Sequence, residues 1–118
     1  MFFMEKFISL KKTNDFGRVY QRGKSYGNNV LVIYAYRRGQ NQLGRVGVSV
    51  SKKVGNSVVR HRVKRRIKEC FRTHLEWWKD GFDIVVVARQ ASSEADFDTL
   101  SNSLVQTGKH LDICDLDI

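Results

Sequence analysis

The chain has 118 residues, 42% of them hydrophobic, which is enough for one core and leaves nothing for a second domain. Its 21 Lys and Arg against 12 Asp and Glu give a net charge of +9, a balance suited to a polyanion, either nucleic acid or an acidic membrane surface. The charge is uneven, because residues 1–88 hold 19 basic and 6 acidic side chains while 89–118 hold only Arg89 and Lys109 against six acids, and no stretch approaches the roughly 18 consecutive apolar residues of a membrane span.

The start, MFFMEKFISLKK, is apolar in places, but Glu5 and Lys6 interrupt it after four residues, so no export signal is expected and the cytoplasm is the expected location. Thr13, Asn14 and Asp15 offer N-cap chemistry, Phe16, Val19 and Tyr20 fall at helical spacing, and Gly23 supplies a stop, which predicts a first helix of about two turns. Residues 30–38, VLVIYAYRR, predict a strand with Val30, Val32, Tyr34 and Tyr36 on one face and Leu31, Ile33 and Ala35 on the other. Both faces then need cover or a ligand. The turn from Gly39 to Gly44 leads into RVGVSVS, and the two strands together read as a β-hairpin.

After Gly55, with Asn56 or Ser57 as N-cap, a central helix is predicted over about 57–78, with Val59, Val63, Ile67, Cys70, Phe71, His74 and Trp78 recurring along it and Gly81 breaking it. DIVVVA predicts a buried strand, and Ser92-Ser93 with Glu94 and Asp96 opens a last helix carrying Phe97, Leu100, Leu104 and Leu111. The predicted order is α-β-β-α-β-α in a single domain over 1–118, with the central helix as a β-α-β crossover and helices on a mixed sheet. Cys70 and Cys114 lie far apart without a partner motif and read as packing or bystander thiols of a reducing compartment.

Between Lys52 and Lys68, eight of seventeen residues are Lys or Arg and no acid appears until Glu69. On a helix, Arg60, Lys64 and Lys68 form one row, Arg62 and Arg66 a second on the other flank of the apolar arc, and Arg65 points outward. Solvated charged faces normally intersperse Glu with Lys. Like charges one turn apart cost a few tenths of a kcal/mol per pair, which an anionic partner would offset. Arg in preference to Lys suits forked contacts to phosphate.

The stretch Lys53-Val54-Gly55-Asn56-Ser57-Val58-Val59-Arg60-His61-Arg62-Val63-Lys64-Arg65-Arg66-Ile67-Lys68 resembles the signature of the bacterial ribonuclease P protein family, a Lys-hydrophobe-Gly-Asn-Ala turn followed by an Arg-Asn-Arg helix. The likeness extends to the NDF of Asn14–Phe16 with Val19, Tyr20 and Gly23, to the strand ending near Tyr34, to RVGVSVSKKVGN and to IVVVAR. Ser57 replaces the usual Ala, and His61 stands where the family has Asn, so its contact to RNA would differ. The resemblance implies an α+β sandwich with a left-handed β-α-β crossover (ribosomal protein S5 domain 2-like), an exception to the usual hand.

It also implies a function: a monomeric protein that joins one catalytic RNA subunit and holds the 5′ leader of precursor tRNA while the RNA, with Mg²⁺ and water, cuts the phosphodiester. The residues implied for the RNA subunit are Lys53, Arg60, His61, Arg62, Lys64, Arg65, Arg66 and Lys68. Those implied for the leader cleft are Phe16, Tyr20 and Tyr34, then Val32, Tyr36 and Ser49. Aromatic faces for bases and cations for the backbone suit single-stranded RNA, and Lys11, Lys12, Arg18, Arg22 and Lys24 surround these aromatics in sequence. Phe16 reads equally well as core.

No catalytic residue and no metal ligand is expected of the protein itself. His61, His74 and His110 form no motif that would pair them, and no metal-binding spacing occurs. Gly17-RVYQR-Gly23-Lys24-Ser25 has five intervening residues where a P-loop has four. Two other readings stay open at this point: a general or ribosome-associated RNA-binding protein with the same helix and no leader cleft, and a metal-dependent nuclease acting alone.

Overall fold

The computed structural model describes residues 7–39 and 42–115. Their strands form one five-stranded mixed sheet. The elements in chain order are β1 (Phe7–Ser9), α1 (Thr13–Arg22), β2 (Lys24–Gly27), β3 (Leu31–Arg37), β4 (Gly44–Val50), α2 (Ser57–Thr73), β5 (Phe82–Ala88) and α3 (Phe97–His110), with single 3₁₀ turns at Leu75–Trp77 and Gln90–Ser93. The sheet order is β1-β4-β5-β3-β2, with β5 parallel to β4 and antiparallel to β3. The expected α+β layering is present, and β4-α2-β5 is the expected crossover between parallel neighbours.

The expected hairpin of residues 30–38 with 46–50 is not formed. β5 lies between β3 and β4 and bonds to both. Its Ile84, Val85 and Val86 are fully buried, facing apolar cover on both sides, and a strand of that character belongs in the sheet interior. Gln40 and Asn41 of the expected turn, and Glu5 and Lys6 of the N-terminal segment, lie outside the described residues. β1 and β2, which the sequence did not announce, add an edge each: β1 runs parallel to β4 and β2 antiparallel to β3.

The helix ends also differ from expectation. α1 starts from Lys12 rather than from a capping side chain at 13–15; those residues form its first turn. α2 ends at Thr73, not Trp78: His74 caps it, and the Thr73 hydroxyl donates back to the Glu69 carbonyl at 2.7 Å. Leaving the helix lets Trp78 turn inward, where it is fully buried and stacks on Phe71 at 4.7 Å. α3 is capped by Asp96, whose Oδ1 accepts from the Thr99 N–H at 2.8 Å, and Ser92–Ser93 form the preceding 3₁₀ turn.

The two sheet faces are covered unequally. On one, Leu31, Ile33, Ala35, Val46, Val48, Ile84 and Val86 pack against Val63, Ile67, Cys70 and Phe71 of α2 and Leu100 and Leu104 of α3. Each fully buried side chain of this size contributes about 1.5–3 kcal/mol of transfer free energy, so this side holds the fold together. On the other face the buried apolar cluster among the described residues is only Leu10, Val19 and Val85, with Phe16, Tyr34, Tyr36 and Val87 partly covered around them. That half-open face lies beside α1.

Candidate nucleic-acid interface

Asn56 caps α2, its side-chain oxygen accepting from the Val59 N–H at 3.0 Å. The apolar arc of α2 faces the sheet, which turns its cations outward. His61, Lys64 and Arg65 are exposed, and Arg60, Arg62, Arg66 and Lys68 are half-buried. The two rows therefore differ. Arg62 donates to the Ser93 carbonyl at 3.4 Å and Arg66 to the Ala95 carbonyl at 3.3 Å, bracing the segment before α3. Partial burial, then the charge of Lys64 one turn away, hold the Lys68 ammonium below the usual lysine range. An anion laid along the helix would reverse that penalty. Glu69, the first acid, is committed to Arg72 through two hydrogen bonds.

On the half-open sheet face, strand register lines up three rows: Val32, Val87 and Ser49; Tyr34, Val85 and Gly47; Tyr36, Asp83 and Arg45. α1 lies across the second row. The Tyr20 ring meets the Tyr34 ring edge-on at 5.0 Å and lies 6.4 Å from Phe16. Tyr20 is 39% exposed, and Phe16 is half-buried over Gly47, where a Cβ would stand 2.5 Å from the Phe16 Cζ. The glycine makes room for the ring. Phe16 thus serves as both core and wall, and all six residues expected in the cleft are partly or largely accessible on this one face. Lys11, Lys12, Arg18 and Arg22, on α1 and just before it, are exposed, whereas Lys24, although exposed, pairs with Ala35 and so faces the α3 side of the sheet rather than the cleft.

Sequence reasoning missed what holds α1 in place. Asp83, fully buried, accepts from Arg45 Nε at 2.8 Å and from its terminal nitrogen at 2.6 Å. The other Arg45 nitrogen donates to Asp15 of α1 at 3.1 Å, and Arg18 donates to Asp15 at 3.0 Å. Hydrogen bonding to Asp83 raises the Arg45 pKa against the opposing effect of burial. Burial would raise the Asp15 pKa, but hydrogen bonding to Arg18 and the charges of Arg45, Arg18 and Lys12 outweigh it and hold it low. The available signal was a single carboxylate inside the apolar run FDIVVVA, since unpaired charges are almost never buried.

Lys53 stands apart from the helix cations. It lines an open groove of ≈700 Å³ at the end of the sheet where β3 begins and β4 and β5 end, together with Arg89, which was not among the expected contacts, and with Asn29 and Ser51. The histidines have separate settings: His61 on the outer face of α2, His74 donating to or accepting from Ser101 Oγ at 2.8 Å, and His110 stacked on Tyr26 at 3.5 Å. Among the described residues no group of three or more His, Cys, Asp or Glu could hold a metal ion, and Asp15 and Asp83 are engaged by Arg45. Burial, then Glu69, push the Cys70 thiol up to about 12, which suits a packing role. Among the described residues no helix is long and apolar enough to cross a membrane.

The family model for ribonuclease P matches residues 4–112. The ribonuclease P protein component of Clostridium kluyveri is 50% identical over 97 residues, covering 80% of this chain and 86% of that protein. The component of Clostridium novyi is 46% identical over 102 residues, covering 86% and 90%. Among solved structures, the RNase P protein of Staphylococcus aureus superimposes with a TM-score of 0.81 at 36% identity, covering 90% of this chain and 96% of that one. The RNase P protein of Thermotoga maritima gives 0.75 at 32% identity, covering 84% and 93%.

Proposed function

Since this chain belongs to the ribonuclease P protein family and so serves tRNA 5′ processing as part of an endoribonuclease with an RNA subunit, we propose that it holds that RNA on α2 and the 5′ leader of precursor tRNA on the opposite face of the sheet. One observation carries the division: the cations of α2 and the aromatic cleft lie on opposite sides of the same sheet. Two RNA segments can then be engaged at once without competing.

The contacts to the RNA subunit are Lys64, Arg65, His61 and the row of Arg60 and Lys68, with Arg62 and Arg66 dividing their donors between phosphate and the carbonyls they brace. Lys53 acts beside Arg89 at the sheet end. In the cleft, Tyr20, Tyr34 and Phe16 offer ring faces and edges to unstacked bases, Val32, Tyr36 and Ser49 line the floor, and the surrounding lysines and arginines take the leader phosphates. Phosphodiester hydrolysis belongs to the RNA subunit. Mg²⁺ would promote it from ligands that the RNA supplies. The protein neutralises phosphates and fixes the leader's position, acting as one copy per RNA in the cytoplasm.

The experiment is reconstitution with the ribonuclease P RNA at low Mg²⁺, using precursor tRNAs with leaders of zero to eight nucleotides. Affinity should rise over the first few leader nucleotides and Tyr34→Ala should flatten that rise without weakening assembly with the RNA. Affinity indifferent to leader length would refute the cleft assignment and leave a general RNA-binding protein. Cleavage by the protein after exhaustive nuclease treatment, with no RNA subunit present, would refute the assignment of the chemistry.

A further inference from the structure

Phe97 opens α3 with its side chain 39% exposed, although the positions beyond it on that helix, Leu100 and Leu104, are fully buried. A large aromatic left partly in water forgoes the transfer free energy of full burial. Its position is nonetheless fixed from three sides. Asp96 caps the helix start, Arg66 donates to the Ala95 carbonyl, and the Phe97 carbonyl faces Cys70 Sγ at 3.8 Å. The ring forms one wall of an open groove of ≈590 Å³ whose other side is α2.

The α2 side is not apolar. His61, Lys64, Arg65 and Lys68 line it at i, i+3, i+4 and i+7, a single stripe on the helix. Arg66 adds a further cation at the inner edge, and the one acid there, Glu69, is paired with Arg72. A groove with an aromatic ring along one wall and a row of cations along the other matches the two chemistries of a single-stranded nucleotide, a π-face and a phosphate on each side. An acidic peptide would satisfy the cations but has no need of the ring.

We propose that Phe97 is a base-stacking site: an unpaired nucleobase of the RNA bound by α2 lies against its ring, with the flanking phosphates on Lys64, Arg65 and Lys68. The site rests on the reading of α2 as the RNA-subunit surface, and it adds to that surface a contact that reads unpaired structure rather than charge. It would let the protein favour an RNA with a bulged or looped nucleotide at this point over a duplex of equal charge.

The test measures affinity for the ribonuclease P RNA across a salt series for Phe97→Ala, Phe97→Leu, Phe97→Tyr and Arg65→Ala. Stacking on one base predicts a loss of roughly 5- to 100-fold for Phe97→Ala. Phe97→Tyr should stay within about twofold of the parent, and Phe97→Leu should resemble Ala because it keeps apolar area without a π-face. The salt slope should be unchanged in all three, whereas Arg65→Ala should lower it by about one counterion. A photoreactive benzoylphenylalanine at position 97 should crosslink to one unpaired nucleotide. Unchanged thermal unfolding of the variants will show that the fold is intact. If Phe97→Ala or Phe97→Leu binds as tightly as the parent while Arg65→Ala is weakened, the base site is wrong and the RNA surface stands. If Arg65→Ala also binds as tightly as the parent, and Lys64→Ala measured beside it does too, the RNA surface itself is wrong.

Discussion

Replacing Arg45 by Met tests whether the cleft is held open by charge. Methionine keeps much of the length and the apolar stem of arginine but removes every donor, so Asp83 loses both of its short hydrogen bonds. The nearest remaining cation is Arg38, whose Nε lies 3.7 Å away, too far for a good hydrogen bond. Removing one partner of a buried ion pair costs about 3–5 kcal/mol, because the other charge stays desolvated. Arg38 and a partial shift of the strand ends should hold the loss to about 3 kcal/mol, a large part of the roughly 5–15 kcal/mol that stabilises a domain. For a chain of this size that is a fall in Tm of roughly 10–20 °C. Urea unfolding would give the free energy and thermal unfolding the Tm. Adding Asp83→Met should restore most of the loss, since an apolar pair of similar volume replaces a buried salt bridge at little cost. A loss below about 1 kcal/mol, or a double variant no more stable than the single one, would refute the claim that Asp83 depends on Arg45.

Three further outcomes are expected. Gly47→Ala should drive a Cβ into the Phe16 ring, destabilise the protein by about 1–3 kcal/mol as overpacking does, and weaken binding of leader-bearing but not leaderless tRNA in the reconstituted complex. Lys64→Ala should weaken RNA binding and lower its salt slope by about one without moving Tm, whereas Arg62→Ala should also lower Tm because it loses the Ser93 carbonyl. Burial holds the His74 pKa below the ordinary 6.5, so the unfolded chain takes up a proton first as the pH falls. The stability that neutral His74 contributes is therefore complete above about pH 6.5 and lost below it, and His74→Gln should flatten the urea-derived stability between pH 7 and 5.

Those parts of the fold that depend on local periodicity were legible. The spacing of Val63, Ile67, Cys70 and Phe71 set the buried face of α2, and with it the outward direction of Lys64 and Arg65. Alternation in β3 put Val32, Tyr34 and Tyr36 on one face. Strand order was not legible, because two strands joined by a Gly/Asn/Gln turn look alike whether they pair with each other or with a third strand arriving forty residues later. The end of α2 was misplaced since Trp78 continues the helical spacing, although it leaves the helix to stack on Phe71. Nor could pattern choose between the caps Ser92 and Asp96, both of which suit the role. The Arg45–Asp83 contact spans 38 residues, and its one local sign, a carboxylate inside an apolar run, does not name the partner.

The location of that contact follows from what a cleft requires. A helix normally fixes itself to a sheet by burying a continuous apolar stripe, as α2 does, but α1 must leave ring surface uncovered if bases are to reach it. Only Val19 of α1 is a fully buried apolar residue, resting on Leu10 and Val85. Such a small patch can bring the helix to the sheet but sets its rotation weakly, because apolar contact is non-directional. The forked hydrogen bonds from Arg45 to Asp83, and its third arm to Asp15, supply direction. They sit at the Tyr36 end of the three rows, away from Val32 and Ser49, so they orient Phe16 and Tyr20 over the second row without filling the first. The open half of the face and the buried ion pair are thus two consequences of the same constraint.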